Sequence, residues 1–240
     1  MPKSTVEELI DNYHTLTGRP DVRSQQFQKT VFRFFERALL KLLPPDKEAL
    51  IRDAGCGEGA FLLFLKSKGY TNISGIDLSP ENVAISNEMG LAVVQDDITK
   101  STVWPDAPTY DAIVALDVIE HLPKPEVGPF LARLRLSLKP GGKLILQTPN
   151  MGSLFAMTHR YADLSHEFGV TELSAVSLLL IAGFECGEIT ILPSWNATTA
   201  LGRAREIYLS ILHRLWTLAE GQGRIRIPTK NLIIIGSRND

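Results

Sequence analysis

The sequence lacks several features that would mark a specialised protein. It has two cysteines in 240 residues, Cys56 and Cys186, so it has neither a disulfide framework nor the spaced cysteine pairs of a zinc site. The formal net charge of −2 gives no global attraction to nucleic acid. No apolar run approaches the roughly 20 residues that span a bilayer, and the amino terminus has no secretory-type apolar stretch. These absences predict a cytoplasmic protein with reduced thiols, no transmembrane segment and no nucleic acid partner.

The residues that are present have the composition of an ordinary globular chain, with 44% hydrophobic and 22% charged residues. Apolar residues spaced three and four apart from Phe27 to Leu42 predict an N-terminal helix that ends at Pro44-Pro45. Beyond Ala49, short apolar runs alternate with helical segments, which predicts a three-layer α-β-α sandwich around a parallel sheet. The predicted strands are 49–53, 73–77, 92–95, 110–116, 143–147, 188–192 and 231–235, and the helices after them are 60–68, 80–89, 127–138, 172–181 and 197–220.

A glycine-rich turn, Gly55-Cys56-Gly57-Glu58-Gly59, follows the first predicted strand and opens a helix. Glycines allow a sharp turn and a close approach of the backbone to a ligand, and the amides at a helix start favour a carboxylate or phosphate. The G-x-G-x-G spacing, preceded by Asp53, differs from the G-x-G-x-x-G of nicotinamide enzymes. Taken alone, the turn is compatible with a nucleotide site or with a plain structural turn.

Carboxylates follow the next two predicted strands. Asp77 lies about twenty residues beyond the glycines, where it can accept hydrogen bonds from both ribose hydroxyls. In Asp96-Asp97-Ile98, a carboxylate can accept from an adenine amino group while Ile98 packs on the ring. Each aspartate could instead be a helix cap or loop residue. Ligands of open α/β sheets bind outside the carboxyl ends of the strands, however, where all these acids would meet.

These motifs, together with Tyr110–Val114, Val118–Leu122 and the turn 139–144, resemble the class I, Rossmann-like, S-adenosylmethionine-dependent methyltransferases over roughly residues 45 to 192. The resemblance implies a seven-stranded, mostly parallel sheet whose last strand is antiparallel. It also implies S-adenosyl-L-methionine as cofactor and S-adenosyl-L-homocysteine as product.

The resemblance implies a set of cofactor-binding residues at successive strand ends. Asp53 reaches the amino group of the cofactor, Asp77 holds the ribose, Asp97 contacts the adenine and Asp117 lies near the sulfonium. The full set is Asp53, Gly55, Cys56, Gly57, Asp77, Leu78, Asp97, Ile98 and Asp117.

The sequence predicts that the chain divides into four parts. Residues 1–44 are an N-terminal helical cap, 45–193 the cofactor-binding core, 194–229 a helical insert that serves as lid or interface, and 230–240 the final core strand. The apolar face of the insert is expected to pack on its own domain, with contact to lipid or a homodimer partner as the alternative. That face comprises Leu201, Ile207, Tyr208, Ile211, Leu212, Leu215, Trp216 and Leu218.

The segment after the fifth strand carries the candidate catalytic residues. Residues 159–168, expected in a loop above the active face, resemble a subgroup found in glycan and polysaccharide pathways. Methylation of a hydroxyl needs a base, and we predict His166, oriented by Asp163 or Glu167, with His159 as second choice. The competing interpretation is that residues 165–167 cap the next helix.

Two further site interpretations concern metals and the residues after the fourth strand. A metal bound by His159, Asp163 and His166 is less favoured, because no pair of histidines has the i, i+4 spacing of a helical site, and we predict no metal. Glu120-His121 is expected to cap a helix or border the core.

The predicted function is methyl transfer from S-adenosylmethionine to a small molecule, as an O-methylation of a sugar or an isoprenoid-linked acceptor. The alternative is a non-catalytic methyltransferase-like binding subunit that serves a partner. Methylation of a nucleic acid base is disfavoured, because Leu116-Asp117-Val118-Ile119 stands where an Asn-Pro-Pro-Tyr-type motif would follow the fourth strand.

Overall fold

The predicted strands all join one sheet. The computed structural model describes residues 4–18, 20–100, 102, 104–197 and 199–240. Its strands are β1 (Ile51–Ala54), β2 (Ile73–Asp77), β3 (Val93–Gln95), β4 (Tyr110–Leu116), β5 (Leu138–Pro149), β6 (Ile189–Pro193) and β7 (Asn231–Ser237). They form a 7-stranded sheet in the order β3-β2-β1-β4-β5-β7-β6. Strand β7 is antiparallel to β5 and β6, and the other neighbours are parallel. The predicted fold class, including the antiparallel last strand, is confirmed.

Helices cover both faces of the sheet. They are α1 (Thr5–Asp11), α2 (Tyr13–Thr17), α3 (Gln25–Ala38), α4 (Ala60–Ser67), α5 (Pro80–Glu88), α6 (Lys124–Ser137), α7 (Ala156–Tyr161), α8 (Glu172–Ile181) and α9 (Ala200–Ala219). The predicted continuation of the N-terminal helix to Leu42 is wrong: α3 ends at Ala38, and Leu40–Leu42 tightens into a 3-10 turn before the prolines. The predicted loop at 159–168 is partly helical, since α7 runs to Tyr161.

The core has two halves, one on each face of the sheet. Alternate residues of β4 point to opposite faces, as a strand requires: Ile113 and Ala115 to one half, Ala112 and Val114 to the other. The first half packs against α6 and α8, and the second against α3, α4 and α5. Because both faces of the central strands are buried, their side chains are almost continuously apolar.

Helix α9, which joins β6 to β7, contacts the domain through a narrow face. His213 and Thr217 are its buried residues, and the His213 ring lies 2.9 Å from the Gly152 carbonyl oxygen. The prediction that its apolar face packs on its own domain is wrong, because that face points to solvent: Leu201 is 82% exposed and Ile207 62%. Within the described part of the chain, no helix is both long and apolar enough to cross a membrane.

Candidate active site

The site lies in the crevice between β1 and β4, where the strand order reverses. Three cavities meet there, and Asp117, directly after β4, lines all of them. The glycine-turn cavity, about 210 Å³, is lined by residues that include Gly55, Gly57, Asp77, Asp97 and Ile98. The Asp53 cavity, about 360 Å³, lies on the other side of the same turn. The histidine cavity, about 510 Å³, is lined by residues that include Glu120, His121, His159, Asp163 and His166.

The glycine turn brings the backbone close to both of the cavities that flank it. Gly55 has a φ of 70°, and an added Cβ would stand 2.6 Å from Cγ2 of Val118, so only glycine fits. At Gly57, with a φ of 55°, an added Cβ would meet open space. A ligand can therefore lie directly against the Gly57 backbone.

The expectation that the amides of this turn are available to bind a carboxylate or phosphate is wrong for three of them. The amides of Gly55 and Cys56 donate to the Ile76 carbonyl at 2.8 and 2.9 Å, because the turn continues the pairing of β1 with β2. The Gly57 amide donates to Asp77 at 2.7 Å. The turn thus offers a ligand an open backbone surface at Gly57 rather than an anion-binding set of amides.

Asp77 ties the glycine turn to the start of α5. One carboxylate oxygen accepts the Gly57 amide, and the other accepts the Ser79 amide at 2.9 Å and the Asn82 side-chain amide at 3.1 Å. These hydrogen bonds fix the orientation of the Asp77 carboxylate. Asp77 lines the glycine-turn cavity, and its role as ribose ligand stays a prediction.

The adenine end of the predicted site lies at the tips of β2 and β3. Ile98 is buried and Leu78 is 45% exposed, and both line the glycine-turn cavity beside Asp97. One oxygen of Asp97 accepts from the amide and hydroxyl of Thr99 at 2.9 and 2.8 Å, which holds the loop in a tight turn. At this end the cavity thus has apolar walls and one carboxylate.

The side chains of Asp53 and Cys56 are both buried, and they differ in what they can contact. Burial, reinforced by the charge of Asp77, raises the pKa of Asp53 to about 8. Burial likewise raises the pKa of the Cys56 thiol well above its usual range. The Cys56 sulfur packs under Gly75 in the core, where an added Cβ on Gly75 would stand 2.5 Å away. Cys56 can therefore contact a ligand through its backbone alone, whereas the Asp53 carboxyl faces the Asp53 cavity.

The N-terminal helices cover the glycine-turn cavity, a contact that the sequence did not predict. Tyr13 lines the glycine-turn cavity together with Val6 and Ile10 of α1. Glu58, inside the glycine turn, accepts the Val22 amide at 3.2 Å and contacts the ring nitrogen of His14. The charge of Glu58 within a glycine motif was the sequence signal that could have indicated this contact with the N-terminal segment.

Asp117 is held in a strained conformation at the junction of the cavities. Its φ is 55°, and it is the only non-glycine residue of the described chain with a positive φ. Such a conformation costs on the order of 1 kcal/mol and persists where neighbours enforce it. Gln147 donates to one carboxylate oxygen at 3.0 Å and Asn231 to the other at 3.4 Å. Asp117 thus lies where the three cavities meet, and its place beside the sulfonium stays a prediction.

A chain of polar side chains orients His121. The Ser165 hydroxyl donates to Asp163 at 2.5 Å and lies 2.9 Å from Nδ1 of His121, so Nδ1–H is the donor to Ser165. Tyr13 donates to the other Asp163 oxygen at 2.9 Å. Burial opposes ionisation of Asp163, but the hydrogen bonds from Ser165 and Tyr13 outweigh it and lower the pKa to about 2. His121 lines both the glycine-turn and histidine cavities, which makes it more central than the cap predicted for it.

His166 and Glu120 stand beside His121. The His121 and His166 ring centroids are 4.7 Å apart, and Nδ1 of His166 lies 3.2 Å from the Arg160 carbonyl oxygen. Glu120 is 2% exposed; one carboxylate oxygen accepts from Thr148 at 3.0 Å, and the other is buried without a hydrogen-bond partner. Burial, with the charge of Asp117 adding to it, raises the pKa of Glu120 well above its usual range.

The predicted catalytic residues fall into two places. His166 and Asp163 join the cluster around His121, but His159 lies further out, on the wall that the histidine cavity shares with a groove between α7 and α9. Burial and the charge of Lys230 lower the pKa of His159. The prediction that Asp163 or Glu167 orients His166 is wrong. The Glu167 side chain is exposed and its backbone amide donates to the Glu120 carbonyl at 2.7 Å, while Asp163 orients His121 through Ser165. The Arg160 carbonyl holds His166 instead. The α7–α9 groove, about 450 Å³, is lined by residues that include Leu154, Phe155, Trp195, Leu209 and Pro228.

Comparison with known proteins places this geometry in a family. Residues 27–181 match the family model described as a methyltransferase domain. The chain is 36% identical over 107 residues to a ubiquinone biosynthesis O-methyltransferase of Xanthomonas oryzae pv. oryzae, covering 42% of this chain and 44% of that protein. It is 31% identical over 134 residues to a malonyl-[acyl-carrier protein] O-methyltransferase of Halalkalibacterium halodurans, covering 53% and 49%.

Two further similarities extend the comparison. A tRNA U34 carboxymethyltransferase of Pseudoalteromonas translucida is 25% identical over 150 residues, covering 58% of this chain and 45% of that protein. The chain thus spans less than half the length of each of these curated relatives. A solved structure described as a SAM-dependent methyltransferase from Archaeoglobus fulgidus superposes with a TM-score of 0.66 at 19% identity, covering 88% of this chain and 94% of that one. That likeness confirms the fold.

Proposed function

The chain belongs to the methyltransferase domain family, and from that membership we propose that it methylates a hydroxyl oxygen of a small amphiphilic molecule, with S-adenosylmethionine as cofactor. The observation that carries the proposal is the position of His121, which faces both the glycine-turn cavity and the histidine cavity. Two of the similar curated proteins are named as O-methyltransferases, which supports oxygen as the methylated atom.

The residues at the strand ends fit the cofactor in shape and charge. The open space at Gly57 leaves room for the methionine part, and the Asp53 carboxyl is buried beside it. Asp77 would hold the ribose hydroxyls, and Asp97 with Ile98 the adenine. When bound, S-adenosylmethionine supplies an electrophilic methyl group on a sulfonium sulfur. The chain must then align an acceptor oxygen and let it lose its proton.

Cofactor binding is expected to release a proton through Asp53. With a pKa of about 8, Asp53 is mostly protonated at pH 7 in the ligand-free protein, and a ligand ammonium group beside it favours the ionised form. Titration calorimetry with S-adenosylhomocysteine in buffers of different ionisation enthalpy should show release of close to one proton at pH 7. The release should vanish as the pH rises past about 8.

Asp53→Asn provides the control for this measurement, because it cannot lose a proton and should bind with no release. A binding enthalpy for the unchanged protein that does not depend on the buffer at pH 7 would contradict the assignment of Asp53.

His121 and His166 are positioned to receive the acceptor hydroxyl. Both Nδ1 atoms lie against oxygen acceptors, Ser165 for His121 and the Arg160 carbonyl for His166, so the lone pair of each ring is on Nε2. A neutral imidazole in that tautomer accepts a proton from a hydroxyl. Asp163 acts through Ser165 and positions His121.

The surroundings favour an isoprenoid-linked acceptor over a free sugar. The histidine cavity is polar at its floor, and its wall includes Leu9, Leu16 and Leu164. The α7–α9 groove continues from it past His159 and Lys230, with Phe155, Trp195 and Leu209 along its sides. A hydroxylated head group would occupy the floor, while an apolar tail would lie along the groove.

The acceptor proposal can be tested with a matched series of compounds. Labelled methyl transfer should be measured for a hydroxylated aromatic ring with a short prenyl tail, for the same ring without the tail, and for a set of free sugars. We expect the tail to raise kcat/KM at least tenfold. Transfer to a sugar with no response to the tail would support the glycan-pathway alternative. Binding of S-adenosylhomocysteine with no transfer to any of them would favour the non-catalytic subunit.

A further inference from the structure

Three side chains with metal-ligating atoms converge on the floor of the histidine cavity. Glu120, His121 and His166 each offer one ligand atom, and these atoms lie within 4.8 Å of one another. The set differs from the one considered from the sequence, because Glu120 and His121 are adjacent in the chain while His166 arrives from the loop after α7. One carboxylate and two imidazoles form a recurrent set for catalytic divalent cations that keep open coordination positions.

The Glu120 carboxylate gives an independent reason to expect a bound cation. The oxygen not held by Thr148 is buried and has no hydrogen-bond partner. A buried polar atom without a partner destabilises the folded protein, and more strongly when it is charged. The neighbouring acids Asp117 and Asp163 add to the negative potential at Glu120. A cation in contact with the carboxylate would remove both penalties.

The two histidines are already held as metal ligands usually are. Nδ1–H of His121 donates to Ser165, which donates in turn to Asp163, and Nδ1–H of His166 donates to the Arg160 carbonyl. Metal-bound histidines almost always donate their other ring N–H to a carboxylate, carbonyl or water, and this contact fixes both the tautomer and the ring orientation. In both rings the remaining lone pair is on Nε2.

We propose that Glu120, His121 and His166 bind one divalent cation of the zinc, manganese or cobalt type, and that the acceptor hydroxyl completes its coordination. This proposal deepens the proposed function and depends on it for the hydroxyl acceptor. Coordination lowers the pKa of the hydroxyl. The proton then leaves to water at the cavity mouth, and an oxygen lone pair forms the bond to the methyl carbon. The bond between that carbon and the sulfonium sulfur breaks, its electron pair stays on the sulfur of S-adenosylhomocysteine, and no free histidine is required as base. His121 lies where it lines both cavities, so the cation would hold the oxygen on the side that faces the cofactor.

The test measures cation binding without cofactor or acceptor, so that it is independent of methyl transfer. The full chain, freed of metal with a chelator, is titrated with Co²⁺ and followed by visible absorption and by calorimetry. We expect one equivalent to bind with a spectrum typical of nitrogen and oxygen ligands. Glu120→Gln and His166→Ala should each weaken the affinity at least about 100-fold. Glu167→Gln, which removes an exposed carboxylate from the same loop, should bind cobalt as the unchanged chain does.

Folding and activity controls keep the outcomes distinct. Circular dichroism melting checks that each variant folds, and His166→Ala alters a half-buried side chain that a fold tolerates more readily than the buried Glu120. If cobalt does not bind, or binds equally to all variants, the cation site is refuted. Methyl transfer that persists in chelator would then leave the proposed function standing with a histidine base. Cobalt binding without transfer to any acceptor would instead refute the proposed function and leave the site.

Discussion

Replacing Asp77 with alanine is expected to abolish measurable cofactor binding and to lower the free energy of unfolding by about 3 kcal/mol. The carboxylate accepts hydrogen bonds from the Gly57 amide, the Ser79 amide and the Asn82 side chain, so truncation leaves three donors without their acceptor. The same change frees the glycine turn from α5 and removes the predicted ribose ligand. Relief of the repulsion between Asp77 and Asp53 offsets little of the loss at neutral pH, where Asp53 is mostly protonated.

The measurements are calorimetric binding of S-adenosylhomocysteine and urea unfolding of the ligand-free protein. Asp106→Ala is the matched control, since it removes an exposed acid of the same type. It should leave both quantities within about 0.5 kcal/mol of the unchanged protein. If the Asp77→Ala variant bound S-adenosylhomocysteine with an affinity within threefold of that of the unchanged protein, the crevice between β1 and β4 would not be the cofactor site.

Replacing His121 with alanine is expected to reduce kcat by about a hundred- to a thousandfold, with only a small change in cofactor affinity. The His121 ring lines both the histidine cavity and the glycine-turn cavity. Its removal therefore takes away the side chain that we expect to hold the acceptor oxygen next to the methyl donor. The loss is expected whether His121 takes the proton or holds a cation. Single-turnover transfer of labelled methyl groups measures it directly.

His159→Asn is the informative comparison for that measurement. His159 lines the same cavity but lies outside the cluster, beside the α7–α9 groove, and should affect KM for a tailed acceptor more than kcat. If His159→Asn lowered kcat as strongly as His121→Ala, the reacting centre would lie at the outer wall of the cavity. The second-choice catalytic role predicted for His159 would then be the correct one.

The sequence was informative wherever local pattern determines position. Strand alternation and turn residues predicted the sheet, and because parallel strands end at one edge, Asp53, Asp77 and Asp97 could be predicted to converge. The hydrogen-bond partners and burial of each acid could not be predicted from local pattern, because they depend on tertiary contacts. The Gly57 amide donates to Asp77 only because β1 pairs with β2. The apolar face of α9 is exposed because of the position that the helix takes on the domain.

The acceptor side was harder to predict, because its contacts link distant parts of the chain. Tyr13 and Asp163 are 150 positions apart in sequence, and His121 and Ser165 are 44 apart. The residues next to Glu120-His121 in the sequence are compatible with a helix cap. Its place at the junction of two cavities follows only once the loop after α7 folds over the end of β4.

The position of β7 has a consequence for how the protein is made. This strand lies between β5 and β6 and is the sheet neighbour of β6, so β6 cannot join the sheet until residues 231–237 have left the ribosome. The same strand begins with Asn231, which reaches Asp117. A chain released early by a premature stop therefore lacks both the inner partner of its edge strand and a contact of its strained site residue. Such fragments would expose an unpaired sheet edge, which makes them targets for chaperones and proteases rather than partly active enzymes.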